Sequence, residues 1–191
     1  MGLLKAYIPN KLLLVFSFGI LVGCSNTINC DCNKRQTLRD HSIRALTIFN
    51  APDSLVIWDN FDSSKKCAET CSKPLLILFT TIGCHSQTPP KEFLLLQNER
   101  VVELIKSNYL FVCLLTDDVS KVEPELNSSE KHSNAISFGK QNAALELKFT
   151  QENGPPKYVV FNNNEVCEVF SEGINNMDYE LFIDFLSRNR E

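Results

Sequence analysis

The sequence of 191 residues predicts an α/β fold with a mixed central sheet flanked by helices on both faces. Three observations lead there. Two unbroken apolar runs of strand length, Leu75 to Thr81 and Tyr109 to Leu115, read as strands buried on both faces, the pattern of parallel pairing. A helical pattern lies between them, the crossover that two parallel strands require. Further on, Lys157 to Phe161 and Glu165 to Phe170 read as an antiparallel hairpin across Asn162-Asn163-Asn164, because Asn tolerates positive φ.

Taken in order, the elements begin with two short apolar runs, Ile43 to Phe49 and Leu55 to Trp58, broken by Asn50-Ala51-Pro52-Asp53 and suited to a strand or two. Asp62 to Ser72 has helical composition and is closed by Lys73-Pro74 ahead of the first buried strand. Lys91 to Asn108, with Phe93, Leu94, Leu96, Val101, Leu104 and Ile105 apolar, suits helix with a break near Gln97-Asn98. Thr88 precedes Pro89 and Pro89 precedes Pro90, which pushes both out of helical conformation, so the regular helix starts only about Pro90. After the second buried strand, residues 119–138 are polar and aperiodic and read as an insertion loop. Gly139 to Phe149 reads as helix, and Met177 to Arg188 closes the chain as an amphipathic helix.

The N-terminal segment carries an address. Lys5 and Lys11 precede Leu12 to Gly23, an uncharged run that is the layout of a signal peptide and too short for the ~20 residues of a membrane-spanning helix. It ends in Leu21-Val22-Gly23-Cys24, which resembles a bacterial lipobox, in which the cysteine is acylated and becomes the first mature residue. The expected organisation is signal peptide 1–23, tether 24–42 and one α/β domain 43–191. That resemblance implies a lipid-anchored protein of the bacterial envelope, on the inner or outer membrane, with its domain in the periplasm. Such a space permits disulfides.

Composition narrows function mainly by exclusion. Net charge is −4 with no basic stripe, so no nucleic-acid partner is expected. No His-Glu-x-x-His, Gly-x-Ser-x-Gly or Gly-x-x-x-x-Gly-Lys pattern occurs. Cys30, Cys32 and His41 lack a fourth ligand at structural-zinc spacing, so no metal is expected. Asp117-Asp118 reads as a strand-end turn. Of eight cysteines, one is assigned to the lipid, which leaves an odd set.

Three stretches carry a family resemblance. These are Lys73-Pro74 with its apolar strand and Gly83-Cys84; Glu99 to Asp118, ending in paired aspartates; and Gly154-Pro155-Pro156-Lys157-Tyr158-Val159-Val160-Phe161. From about residue 55 onward they resemble a thioredoxin-like fold, in particular the periplasmic C-terminal domain of DsbD-type thiol:disulfide interchange proteins. The resemblance implies that Cys84 is the attacking thiol and that Pro156 is the family's cis-proline. It further implies that Gly83, Pro155 and Pro156 border the bound chain, and that no cofactor is needed. His85 next to the thiol would favour the thiolate when protonated. The expected partners are protein or small-molecule thiols and disulfides, with the membrane reached through the lipid on Cys24.

The tetrad Cys84-His85-Ser86-Gln87 departs from Cys-x-x-Cys, because Gln87 stands where a resolving thiol would be. Two functions therefore remain open. One is monothiol disulfide exchange or mixed-disulfide formation through Cys84. The other is a redox-inactive binding or structural lipoprotein on the same fold. Cys67 and Cys71 precede a strand whose seven residues at ~3.3 Å each put them on the order of 20 Å from Cys84. Lying i and i+4 on a helix, they are expected to be two free thiols. Cys113, in mid-strand, is expected to be a buried small hydrophobe. Cys167 begins the return arm of the hairpin, and only Cys30 and Cys32, on the tether, have the freedom to approach Cys84.

Overall fold

The computed structural model describes residues 52, 55–82, 90–121, 136–171, 174–176 and 178–189. Within them the chain forms β1 (Ile57–Trp58), α1 (Phe61–Cys71), β2 (Leu75–Thr80), α2 (Lys91–Leu95), α3 (Glu99–Asn108), β3 (Leu110–Leu115), α4 (Phe138–Thr150), β4 (Lys157–Asn162), β5 (Glu165–Phe170) and α5 (Tyr179–Arg188). The predicted run Ile43 to Phe49 lies outside the described residues, and of Leu55 to Trp58 only Ile57–Trp58 pairs as a strand.

Local chemistry sets the helix ends. The Asn60 side chain accepts a hydrogen bond from Ser63 N–H at 2.9 Å, which starts α1. Ser72, at φ 52, ends it in the left-handed conformation, and Lys73 N–H returns to the Ala68 carbonyl at 3.2 Å. The break expected near Gln97-Asn98 occurs there: the Asn98 side chain accepts from Arg100 and Val101 N–H and starts α3 as a separate helix. Regular helix begins at Lys91, after Pro90. At the C-terminus Asp178 caps α5 by accepting from Leu181 N–H at 3.0 Å.

The five strands make one open mixed sheet in the order β1-β3-β2-β4-β5. β3 lies parallel to both β1 and β2, and β4 is antiparallel to β2 and β5. Asn163 and Asn164 hold positive φ of 49 and 68 at the hairpin turn, the role predicted for them. Because successive strand residues point to opposite faces, β2 and β3 feed two cores. Leu76, Leu78, Phe111 and Cys113 pack with Phe93, Ile105, Phe182 and Phe185 from α2, α3 and α5. On the other face Leu75, Ile77, Phe79 and Val112 pack with Ala68 of α1 and Leu145 and Phe149 of α4. Helices thus cover both faces. Every residue of β2 and β3 is buried, the environment that their continuous apolar composition requires.

The insertion is shorter than the sequence suggests. Lys121 bridges Ser137, Phe138 N–H donates to the Ser120 carbonyl at 2.9 Å, and α4 begins at Phe138. The two ends of the excursion therefore meet, and residues 122–135 between them lie outside the described residues.

Candidate functional site

The chain leaves β2 at Thr80 and is held at Ile82, whose N–H donates to Asp117 Oδ2 at 2.8 Å. Thr116 N–H also donates to the Thr80 carbonyl at 2.9 Å, so the exits of β2 and β3 are tied together. The start of β4 reaches the same end of the sheet, since Lys157 pairs with Phe79 in the antiparallel register. Pro155 and Pro156, half-buried and joined by a cis peptide bond, immediately precede Lys157. Of the residues expected to act, Pro155 and Pro156 are therefore located at the end of the sheet from which the chain runs on toward Gly83. Gly83, Cys84, His85 and Gln87 themselves lie outside the described residues, as do Cys24, Cys30 and Cys32.

Polar groups that sequence patterning did not single out are buried at this end. Glu92, in the first turn of α2, is 2% exposed, and Thr80 Oγ1 donates to its Oε1 at 2.6 Å. The Tyr158 hydroxyl donates to the Glu92 backbone carbonyl at 2.6 Å. Burial raises the Tyr158 pKa well above its ordinary value, and the neighbouring Glu92 and Cys113 add to the rise, so its hydroxyl stays protonated as a donor. These bonds tie α2 to both β2 and β4.

Lys157 is anchored just behind Pro156. Its Nζ donates to the Glu152 carbonyl at 3.0 Å and to Thr150 Oγ1 at 3.3 Å, and lies 3.7 Å from Glu146 Oε1. Glu146 is buried on α4, and burial raises its pKa; the Lys157 charge and the Gly154 N–H oppose that rise. The sequence held one hint of this arrangement: Lys157 is a charge at the start of an otherwise apolar strand. Its partner eleven residues upstream carried no such mark.

The cysteines require one correction. Cys67 and Cys71 are both disulfide-bonded, not free thiols. The expectation rested on poor bridging geometry along one helical face, which disfavours pairing with each other but leaves other partners open. Cys113 is buried in mid-β3 and forms no disulfide, as predicted from its neighbours, and Cys167 is a free thiol exposed on β5. Asp117 and Asp118 belong to the turn after β3, where Asp118 Oδ1 accepts from Ser120 N–H at 2.8 Å. Among the described residues no cluster of three or more His, Cys, Asp or Glu side chains is arranged to hold a metal ion. Among them, too, no helix is long and apolar enough to cross a membrane.

No protein-family model matches the chain, and no curated protein matches it.

Proposed function

We propose that this chain is a thioredoxin-like lipoprotein of the bacterial envelope that forms a mixed disulfide through Cys84. Cys24 carries the lipid, and the domain faces the periplasm. The observation that carries this reading is the register of β2 and β4. Lys157 pairs with Phe79, so Pro156 and the chain leaving β2 toward Gly83-Cys84 share one end of a sheet whose β4 runs against β2. The order of strands and helices supports the fold assignment, being that of the thioredoxin fold.

The chemistry is one half of a dithiol cycle. The Cys84 thiolate attacks a substrate disulfide and expels one thiolate, leaving substrate joined to Cys84. Gln87 has no thiol to complete the cycle, so an external thiol resolves the adduct by attacking its Cys84 sulfur or its substrate sulfur. His85 favours the thiolate when protonated, and Gly83, Pro155 and Pro156 border the substrate backbone. This reading predicts a Cys84 thiol pKa clearly below the ~8.5 reference. The check is the rate of Cys84 alkylation against pH in the folded protein; a profile with an ordinary cysteine midpoint overturns the reading.

Gln87 favours a second reading, a binding or structural lipoprotein on the same fold without redox chemistry. Cys84→Ser separates the two. Unchanged partner capture and cellular phenotype support the second, and loss of either supports the first.

A further inference from the structure

We propose that the buried Glu146–Lys157 pair is a positioning device for the exchange reaction: it braces Gly154-Pro155-Pro156-Lys157 from inside the fold, so that this loop takes a polypeptide disulfide in preference to a small-molecule one. The substrate preference rests on the proposed role of Cys84; the brace itself does not.

Both charges are deep. Glu146, on α4, is 1% exposed, and Lys157, the first residue of β4, is buried as well. Lys157 Nζ lies 3.7 Å from Glu146 Oε1, beyond hydrogen-bond distance, and that oxygen has no hydrogen-bond partner among the described residues. The hydrogen bonds of the pair go to the loop instead. The Glu146 carboxylate accepts from the Gly154 N–H, and Lys157 Nζ donates to the Glu152 carbonyl at 3.0 Å.

Energetics separate this arrangement from core packing. Desolvating two charges costs about as much as their attraction returns, and replacing both partners with apolar side chains of like volume is often neutral or stabilising. Core stability alone does not call for two charges here. Loop shape does. Residues 151–154 are exposed, so apolar packing does not shape the segment. Gly154 stands at φ 129, a conformation that residues with a β-carbon rarely adopt. Its N–H is tied to a buried carboxylate and the Glu152 carbonyl to a buried ammonium, which fixes the backbone on the approach to Pro155-Pro156. The attraction between the same two charges fixes the exit at Lys157.

A loop held in this way suits a chain. Proline has no N–H and a fixed φ, so the Pro155-Pro156 backbone has only carbonyl acceptors to offer a partner. A partner that matches them brings hydrogen-bond donors at backbone spacing. An extended polypeptide carries these, and a small aromatic disulfide lacks them.

The test compares wild type with Glu146→Leu/Lys157→Met, which removes both charges at similar volume, and with Gly154→Ala. At Gly154 an added β-carbon would meet no atom within 4 Å and is opposed only by the positive φ, so this exposed variant disturbs the loop and not the core. Two probes are used: an extended peptide whose cysteine is joined by a disulfide to thionitrobenzoate, and the symmetric thionitrobenzoate disulfide without a peptide. In each, the Cys84 thiolate attacks one disulfide sulfur and forms a new S–S bond, and thionitrobenzoate leaves with the electron pair of the old one. Rates are read as the difference from Cys84→Ser, which subtracts the exposed Cys167 and every other thiol. The ratio of the peptide rate to the small-disulfide rate should fall about tenfold or more in both variants. An unchanged ratio in the folded double variant, or in Gly154→Ala should the double variant not fold, overturns the brace; a lowered urea midpoint with the ratio unchanged makes the pair purely structural. If Cys84→Ser removes no rate from either probe, the redox reading fails and hydrogen exchange decides the brace. The Gly154 amide should then exchange about tenfold or more faster in the double variant than in wild type, with β2 and β3 amides unchanged; equal Gly154 rates overturn it.

Discussion

Lys157 shows how one residue links packing to chemistry at the candidate site. It is 6% exposed, and it fixes the first residue of β4 to the end of α4, directly behind Pro156. Its partner Glu146 carries a pKa raised above the ordinary 4.5 by burial, the largest of the influences on it. The sign follows from linkage. As pH rises past about 4.5 the unfolded chain releases this proton first while the folded one keeps it, so stability present at low pH is lost as pH climbs through the folded value. Comparing wild type with Glu146→Gln in urea melts at about pH 4 and about pH 7 should show the wild-type advantage shrinking at the higher pH. A constant or growing advantage would mean that the pKa is not raised.

Gly139 is a second residue with a specific constraint. A β-carbon there would lie 2.6 Å from Asp118 N, 2.7 Å from Asp118 O and 2.8 Å from Thr116 O. These are backbone atoms of the turn after β3 and cannot swing aside. Gly139→Ala should therefore cost about 1–3 kcal/mol or more in unfolding free energy. A loss within about 0.5 kcal/mol, the range of an ordinary surface substitution, would show that the turn yields.

At the scale of elements, both ends of segment 119–138 are part of the fold. Lys121 and Ser137 bridge, and Gly139 N–H donates to the Asp118 carbonyl at 2.8 Å, so the entry and exit of the excursion are adjacent. Replacing residues 122–135 with a short turn should keep the chain folded, because closing a shorter loop costs less entropy and the depth of loop-length dependence is shallow. Circular dichroism and the unfolding midpoint would check this. A large fall in midpoint would assign the excursion a packing role.

Helices and turns were the most readable elements, since the groups that make them are sequence neighbours. Asn98 caps α3 through N–H groups two and three residues on, and Asn163-Asn164 supplies the two positive φ values of the hairpin. Strand type was readable as well: unbroken apolar β2 and β3 are buried throughout, and β5 alternates at the sheet edge. What escaped were pairs distant in the chain. The Thr80 bond to Glu92, the Tyr158 bond to the Glu92 carbonyl and the Lys157–Glu146 pair depend on how β2, β4, α2 and α4 meet.

For the whole molecule, the sheet order gathers the exits of β2 and β3 and the entry of β4 at one end, and leaves Cys67 and Cys71 toward the other. Cys67 and Cys71 are disulfide-bonded, and a disulfide that closes a long loop removes unfolded-state entropy worth roughly 2–4 kcal/mol. Reduction of the folded chain should lower its unfolding free energy by about that amount. Equal stability with and without reductant would show that the Cys67 and Cys71 disulfides close no long loop.

Sequence alone determined the alternation of buried strands and covering helices, the helix break near Gln97-Asn98, the Asn hairpin and the absence of a second thiol at Gln87. Each of these is written in residue type and near-neighbour spacing. Tertiary structure decided which strand lies beside which, and that Glu92, Glu146 and Lys157 would be buried with partners. It also decided that Cys67 and Cys71 are oxidised, not free. The physical reason is range. Caps, turns and periodicity act over a few residues, whereas burial of a charge and oxidation of a thiol depend on groups brought close only when the whole sheet has formed.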